Sequence, residues 1–245
     1  MNLNALLQKT SARRLAFTLI EMLTVIAVIG ILASMLLPAL AHGKVSVQVK
    51  AAQAEMSSLV AAISTYQGDY GRLPASSTVT KNAGNGDFTF GTVDNTGNLA
   101  VGATSTGVPR IQNPPSVPYN AWNSEVMAVL IPSIPNANLT LNPRKSAYFT
   151  FHTAAQPGTA GLGPDNVLRD IFGNPYIITL DLNYDGVCRD AYYSTMTNYA
   201  TFYPKDIQGS VLVWSFGPDK GVNVAGTTDL LLVKSGKNKD NIVSW

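Results

Sequence analysis

An α+β fold, with one long amino-terminal helix packed on a small antiparallel β-sheet and an irregular insertion between them, follows from three observations. An apolar run from Phe17 to Ala41 is continued, at spacings of three and four residues, by an apolar stripe that reaches Tyr66. β-branched and apolar segments bounded by turn residues crowd the carboxy-terminal third. Between them, residues 75–118 are rich in Ser, Thr, Asn, Gly and Pro and hold no lasting apolar period. A helix with one apolar stripe must bury it, and a sheet offers the matching face.

At 245 residues and 46% hydrophobic, the chain can bury a sizeable core. Charged residues make up only 13% against about 25% in ordinary soluble domains, and the formal net charge is +2. The basic excess lies in residues 1–16, which hold Lys9, Arg13 and Arg14 and no acid; without them 14 basic face 15 acidic residues. No basic stripe points to a nucleic acid partner. Cys188 is the single cysteine, which excludes an internal disulfide framework and reads as a small buried hydrophobe. His42 and His152 are far apart in unlike contexts. With no nucleophile–base–orienter set and no His/Cys metal cluster, the sequence predicts a protein that is not an enzyme.

In the first element, Glu21 is the only charge between Phe17 and Ala41, and the uncharged stretch Met22–Ala41 has 20 residues. A helix of that length crosses about 30 Å of hydrocarbon. The cations ahead of it keep that end cytoplasmic and send the rest outside. Ala39-Leu40-Ala41 is also an A-x-A site after an apolar run, so a soluble secreted binding module released after Ala41 stays open as an alternative. Against it, the run exceeds the about 7 to 15 residues of a usual signal core. Glu21 within its first turns costs roughly 2.5 to 3.5 kcal/mol if unpaired at bilayer depth, which asks for a purpose.

Beyond Pro38 the stripe Val45, Val49, Ala52, Met56, Leu59, Ile63 and Tyr66 makes an amphipathic extension, with Lys44, Gln48, Gln53 and Ser57 opposite. Pro38 and Gly43 are places for a bend. Gly68, Gly71 and Pro74 stop the helix. A short hairpin is expected around Phe88–Thr92, and a short helix over 119–130 with Asn120 or Asn123 as N-cap. Strands are expected at Pro175–Leu182, at Val187–Ser194 pairing back on it, at Val211–Phe216 and at Asp229–Lys234.

Residues 16–21, AFTLIE, with arginines just upstream and an apolar helix after, resemble the prepilin cleavage motif G-F-T-L-[IV]-E of type IV pilins and type II secretion pseudopilins. TYQGDYGRLPAS (65–76), DIFGNPY (170–176), SFGPD (215–219) and DNIVSW (240–245) are similar to segments of the major pseudopilin. The resemblance implies the pilin fold, cleavage between Ala16 and Phe17 by a prepilin peptidase, and N-methylation of Phe17. Ala16 stands in place of the usual glycine, and Pro38 falls where these helices commonly carry a proline. The new α-amine gives Glu21 a partner in its own or the next subunit, and the second option sets axial register. The implied organisation is a leader (1–16), a transmembrane helix (17–41), an amphipathic stalk and turn (42–74) and a periplasmic head (75–245). The head divides into an insertion at 75–165, without a counterpart over most of its length, and a sheet with its carboxy-terminal loop at 166–245. The implied partners are the peptidase, copies of the chain and minor pseudopilins in a periplasmic filament, membrane lipid, and an inner-membrane assembly platform. A type IV pilus or competence pilin is the alternative within the family.

The resemblance also implies calcium, held by Asp219 and Asp240 with Ser215 and backbone carbonyls, oxygen ligands that suit a hard cation. Asn241 stands where an aspartate is frequent, and Asp219 and Asp240 also fit as turn residues beside Gly217 and Gly221. A second candidate, read from the residues alone, is DLNYDG at 181–186. Asp181, Asn183 and Asp185 match the opening D-x-[DN]-x-[DN]-G of a calcium loop, but Tyr192 falls where such a loop needs its glutamate. A hairpin turn at Tyr184–Gly186 is the competing reading.

Overall fold

Helix α1 runs from Leu19 to Tyr70 in the computed structural model, which describes residues 18–100, 110–195, 207–222 and 238–245. The chain divides into two units, Met1–Val45 and Ser46–Trp245. In the first, Leu19–Leu37 is one membrane-length apolar segment of 19 residues with none of it buried. Its polar side chains are satisfied internally: the hydroxyls of Thr24 and Ser34 donate to the carbonyls of Glu21 and Ile31, so neither needs water.

In the second unit the three/four spacing becomes a buried stripe. Ala52, Met56, Leu59, Ile63 and Tyr66 are each almost wholly removed from solvent, whereas Val45, at the end of the first unit, is exposed. Ser57 and Ser64 lie on the outer face. The Tyr66 hydroxyl, carried inward with the ring, donates to the Leu141 carbonyl at 2.8 Å. Gly71 ends the helix at φ 65°, a left-handed position that favours glycine, and Pro74 follows it. Gly68 is inside the helix rather than past it.

Strands β1 (Phe88–Phe90), β4 (Ile177–Leu180), β7 (Val211–Ser215) and β8 (Ile242–Val243) form one antiparallel sheet in the order β1-β4-β7-β8. Thr89 opposes Thr179, Ile178 opposes Val213 and Trp214 opposes Val243. Every residue of β4 and β7 is buried because both faces are covered. Ile178, Leu180 and Val213 belong to the cluster that contains the α1 stripe; Ile177, Leu212 and Trp214 point the other way, to Cys188, Tyr193 and Phe216. The free thiol of Cys188 is buried there, as its reading as a hydrophobe requires. The architecture is therefore α+β, a long helix with an antiparallel sheet.

The rest departs from the sequence expectation in four places. Helix α2 (Ser77–Ala83), capped by the Ser76 hydroxyl accepting from Val79 N–H, arises in a Ser/Thr-rich stretch too short to show a period. Phe88–Phe90 is not half of a local hairpin but the edge strand of the sheet. Helix α3 covers only Ser124–Leu130, not 119–130. Tyr119, Asn120 and Ala121 are held elsewhere, since Asn113 N–H donates to Asn120 Oδ1 and Gly91 N–H to the Ala121 carbonyl. Asn123 stands at the cap position without capping. Its amide donates to the carbonyls of Leu168 and Tyr176 and its Oδ1 accepts from Leu168 N–H.

Finally, the stretch after β4 does not pair back on it. Strand β5 (Val187–Cys188) pairs with β6 (Ile207–Gln208), while β2 (Gly161–Leu162) and β3 (Leu168–Arg169) form a separate antiparallel pair. The expected strand at Asp229–Lys234 lies outside the described residues. The described part of residues 75–165 is mostly irregular, yet Phe88, Phe90, Val126, Leu130 and Phe149 share one core with α1 and the sheet. They are built into the head rather than appended to it.

Candidate functional site

Three groups of candidate residues can be followed. Ala16 and Phe17 lie outside the described residues. Glu21 lies in the first turn of α1 and closes a reciprocal pair with Thr18. Thr18 N–H and its hydroxyl donate to Glu21 Oε2 at 2.8 and 2.7 Å, and Glu21 N–H donates back to Thr18 Oγ1 at 3.3 Å. This is a capping box, which satisfies backbone donors that a helix start leaves open. Thr18 was legible as T-x-x-E but is absent from the sequence expectations above. The carboxylate thus has one partner within its own chain, at the position where cleavage after Ala16 would place a new amine one residue before Thr18.

At the other end of the chain, Gly217 lies at φ 71°, and a Cβ there would collide with the Asp240 carbonyl, so the terminal segment lies close against the loop after β7. Asp219 N–H donates to Asp240 Oδ2 at 3.2 Å, Gly221 N–H donates to Asp219 Oδ1 at 2.9 Å, and Asp240 Oδ1 is buried without a hydrogen-bond partner. The Asp240 carboxylate is thus bonded to the backbone of Asp219, whose own carboxylate turns to Gly221 N–H. Ser215 is engaged elsewhere: its hydroxyl donates to Asp170 and accepts from Gly217 N–H. With its amide turned to satisfy its neighbours, Asn241 donates to the Phe216 and Gly221 carbonyls and accepts from the Tyr193 hydroxyl. Among the described residues no three acidic, imidazole or thiol side chains stand together as a metal-ligating group.

Asp170, unremarked as a site in the sequence, joins two of the similar motifs. Its carboxylate takes Ser215, the Phe172 and Asn174 N–H groups and the Asn174 amide, and that amide also donates to the Gly217 carbonyl at 2.8 Å. DIFGNPY and SFGPD are therefore one hydrogen-bonded joint. Burial pushes the pKa of Asp170 up, against the Ser215 and Asn174 bonds that lower it.

Asp181, Asn183 and Asp185 sit in the loop between β4 and β5, with Tyr184 at φ 58° and Gly186 at φ 82°. Gly186 N–H donates to Asp181 Oδ2 at 3.0 Å and Val187 N–H to Asp185 Oδ1 at 3.0 Å. The loop is a tight turn, but not a hairpin between paired strands, since β5 pairs with β6.

No curated protein and no solved structure matches the chain. Residues 11–37, spanning the end of the basic segment, the AFTLIE sextet, the capping box and the apolar run, match the prokaryotic N-terminal methylation motif, the signature of type IV pilin-like substrates of the prepilin peptidase.

Proposed function

We propose that the chain is a structural subunit of a type II secretion pseudopilus. Prepilin peptidase cuts between Ala16 and Phe17, Phe17 is N-methylated, and the apolar helix holds the subunit in the inner membrane until it joins a periplasmic filament. The observation that carries this reading is the methylation motif at 11–37, which from Leu19 onward is a membrane-length helix whose apolar side chains are exposed. Such a surface needs lipid or other helices around it. Minor pseudopilins, an inner-membrane platform and a separate ATPase complete the assembly.

Glu21 acts in assembly: its carboxylate meets the Phe17 amine of a neighbouring subunit and sets the axial step. The joint between DIFGNPY and SFGPD supports the pseudopilin branch over surface pili, because the two motifs that resemble the major pseudopilin meet in space through Asp170 and Asn174. Asp219 and Asp240 would hold calcium, which would neutralise their charges and tie the terminal segment to the loop after β7. To join them, the Ser215 hydroxyl would have to leave its bond to Asp170.

Mass spectrometry of the mature amino terminus tests the reading. Methylated Phe17 supports a filament subunit, and an amino terminus at His42 overturns it in favour of a soluble module. Electron microscopy of envelopes then separates short periplasmic filaments from long surface pili.

A further inference from the structure

Continuing the β1–β4 ladder one residue past its last pair, Phe88 with Leu180, sets Asp87 directly opposite Asp181. Residues so related carry Cβ atoms about 5 Å apart, where like charges repel. Asp181 is 2% exposed; Oδ2 accepts from Gly186 N–H, and Oδ1 is buried with no hydrogen-bond partner. Asp87 repeats the pattern, with Oδ2 accepting from Arg189 N–H at 2.6 Å and Oδ1 buried and unpartnered. Buried carboxylate oxygens without a donor are costly, and two on facing residues are costlier. Burial pushes the pKa of Asp87 up to about 6 against its bond to Arg189 N–H, and the charges of Asp181 and Asp185 raise it further, while that of Arg189 opposes them.

We propose that this corner is a calcium site, held by Asp87 and Asp181 and completed by oxygens of Asn183 and Asp185. The D-x-N-x-D-G loop lacks an acidic residue at its twelfth position, where Tyr192 stands, and Asp87 supplies from β1 the carboxylate the loop does not. Asp185 Oδ2 now accepts from the Asn183 amide at 2.9 Å, and calcium draws it off that amide to make the third acidic ligand. An irregular set of carboxylate and amide oxygens suits calcium better than magnesium, which demands near-octahedral geometry. The ion would rivet the edge strand β1 to the end of β4. This site is separate from Asp219 and Asp240 and does not depend on the chain forming filaments.

The test uses the full chain in detergent, with Asp219→Asn/Asp240→Asn as a background that removes the other acidic pair. Calcium titrated calorimetrically is expected to bind at one saturable site and raise Tm relative to chelator, with magnesium much weaker. Asp87→Asn and Asp181→Asn are each expected to weaken binding at least about tenfold. In chelator the same variants are expected to melt no lower than the parent, because they remove repulsion while the amide oxygen introduced by Asp181→Asn can still accept from Gly186 N–H. Absence of binding in the parent, binding unchanged by both substitutions, or lower melting of both variants in chelator would each overturn the proposal. Should the double background not fold, the wild-type stoichiometry is measured instead, and it must fall by one equivalent in Asp87→Asn.

Discussion

The Tyr176 hydroxyl donates to Glu55 Oε2 at 2.6 Å, fastening the segment that leads into β4 to helix α1. Burial raises the pKa of Glu55 above its ordinary 4.5; the Tyr176 bond lowers it, Asp170 raises it and His152 lowers it. The folded chain therefore holds this proton more tightly than the unfolded one. Its contribution to stability is fully present below pH 4.5 and is lost as pH rises through the elevated value. Glu55→Gln removes that dependence. Thermal melts from pH 4.5 to neutrality are expected to shift steadily in favour of the variant over wild type, and a constant difference would contradict the assignment.

Glu21 caps its own helix, and under the proposed function its charge also serves assembly, two roles that substitutions can separate. Glu21→Gln keeps a capping-box side chain but not the charge, and Thr18→Ala removes the cap but not the carboxylate. Filament formation is expected to fail in Glu21→Gln as in Glu21→Ala, with insertion and cleavage intact. Thr18→Ala should assemble and lose about 1 kcal/mol of helix stability. Filaments of normal abundance from Glu21→Gln would reduce the residue to a cap.

Asn123 bridges β3 to Tyr176 rather than capping α3. Asn123→Ala is expected to cost upward of about 2 kcal/mol by urea denaturation, because two carbonyls and an N–H lose partners inside the core. Asn123→Asp, a good capping residue without amide donors, should not rescue it. Rescue by Asp would restore the capping role.

Leu59 is wholly buried between α1 and the sheet, whereas Ser58 beside it is exposed. Leu59→Ala should cost about 2 to 5 kcal/mol and Ser58→Ala less than about 0.5 kcal/mol. Equal costs would mean the stripe is not the face that packs.

Chelation provides a measure of the carboxy-terminal loop. Asp240→Asn gives the orphaned Oδ1 position a neutral group, so the part of the calcium-dependent rise in Tm that belongs to this loop should vanish. A rise unchanged by Asp240→Asn would assign all of it to other oxygens.

Local patterns made much of this legible. The α1 stripe shows because a period near 3.6 repeats from Ala52 to Tyr66, and β4 and β7 show because chains buried on both faces read as near-continuous apolar runs. Pairing was not legible: β5 is contiguous with the turn after β4 yet bonds to β6, a choice set by packing around Cys188 and Ile207. Asp87 carries no local motif, and only the β1–β4 register brings it to Asp181. Asn123 shows the limit of residue preference, since the same side chain caps a helix or bridges strands according to what lies beside it.

Among the described residues the outer strands of the sheet are very short, three residues in β1 and two in β8. Along these two rims an incoming strand would find few open backbone donors and acceptors on which to add, so neither invites amyloid-like zipping between copies. In the proposed filament, ordered contact between copies would then fall to their helices.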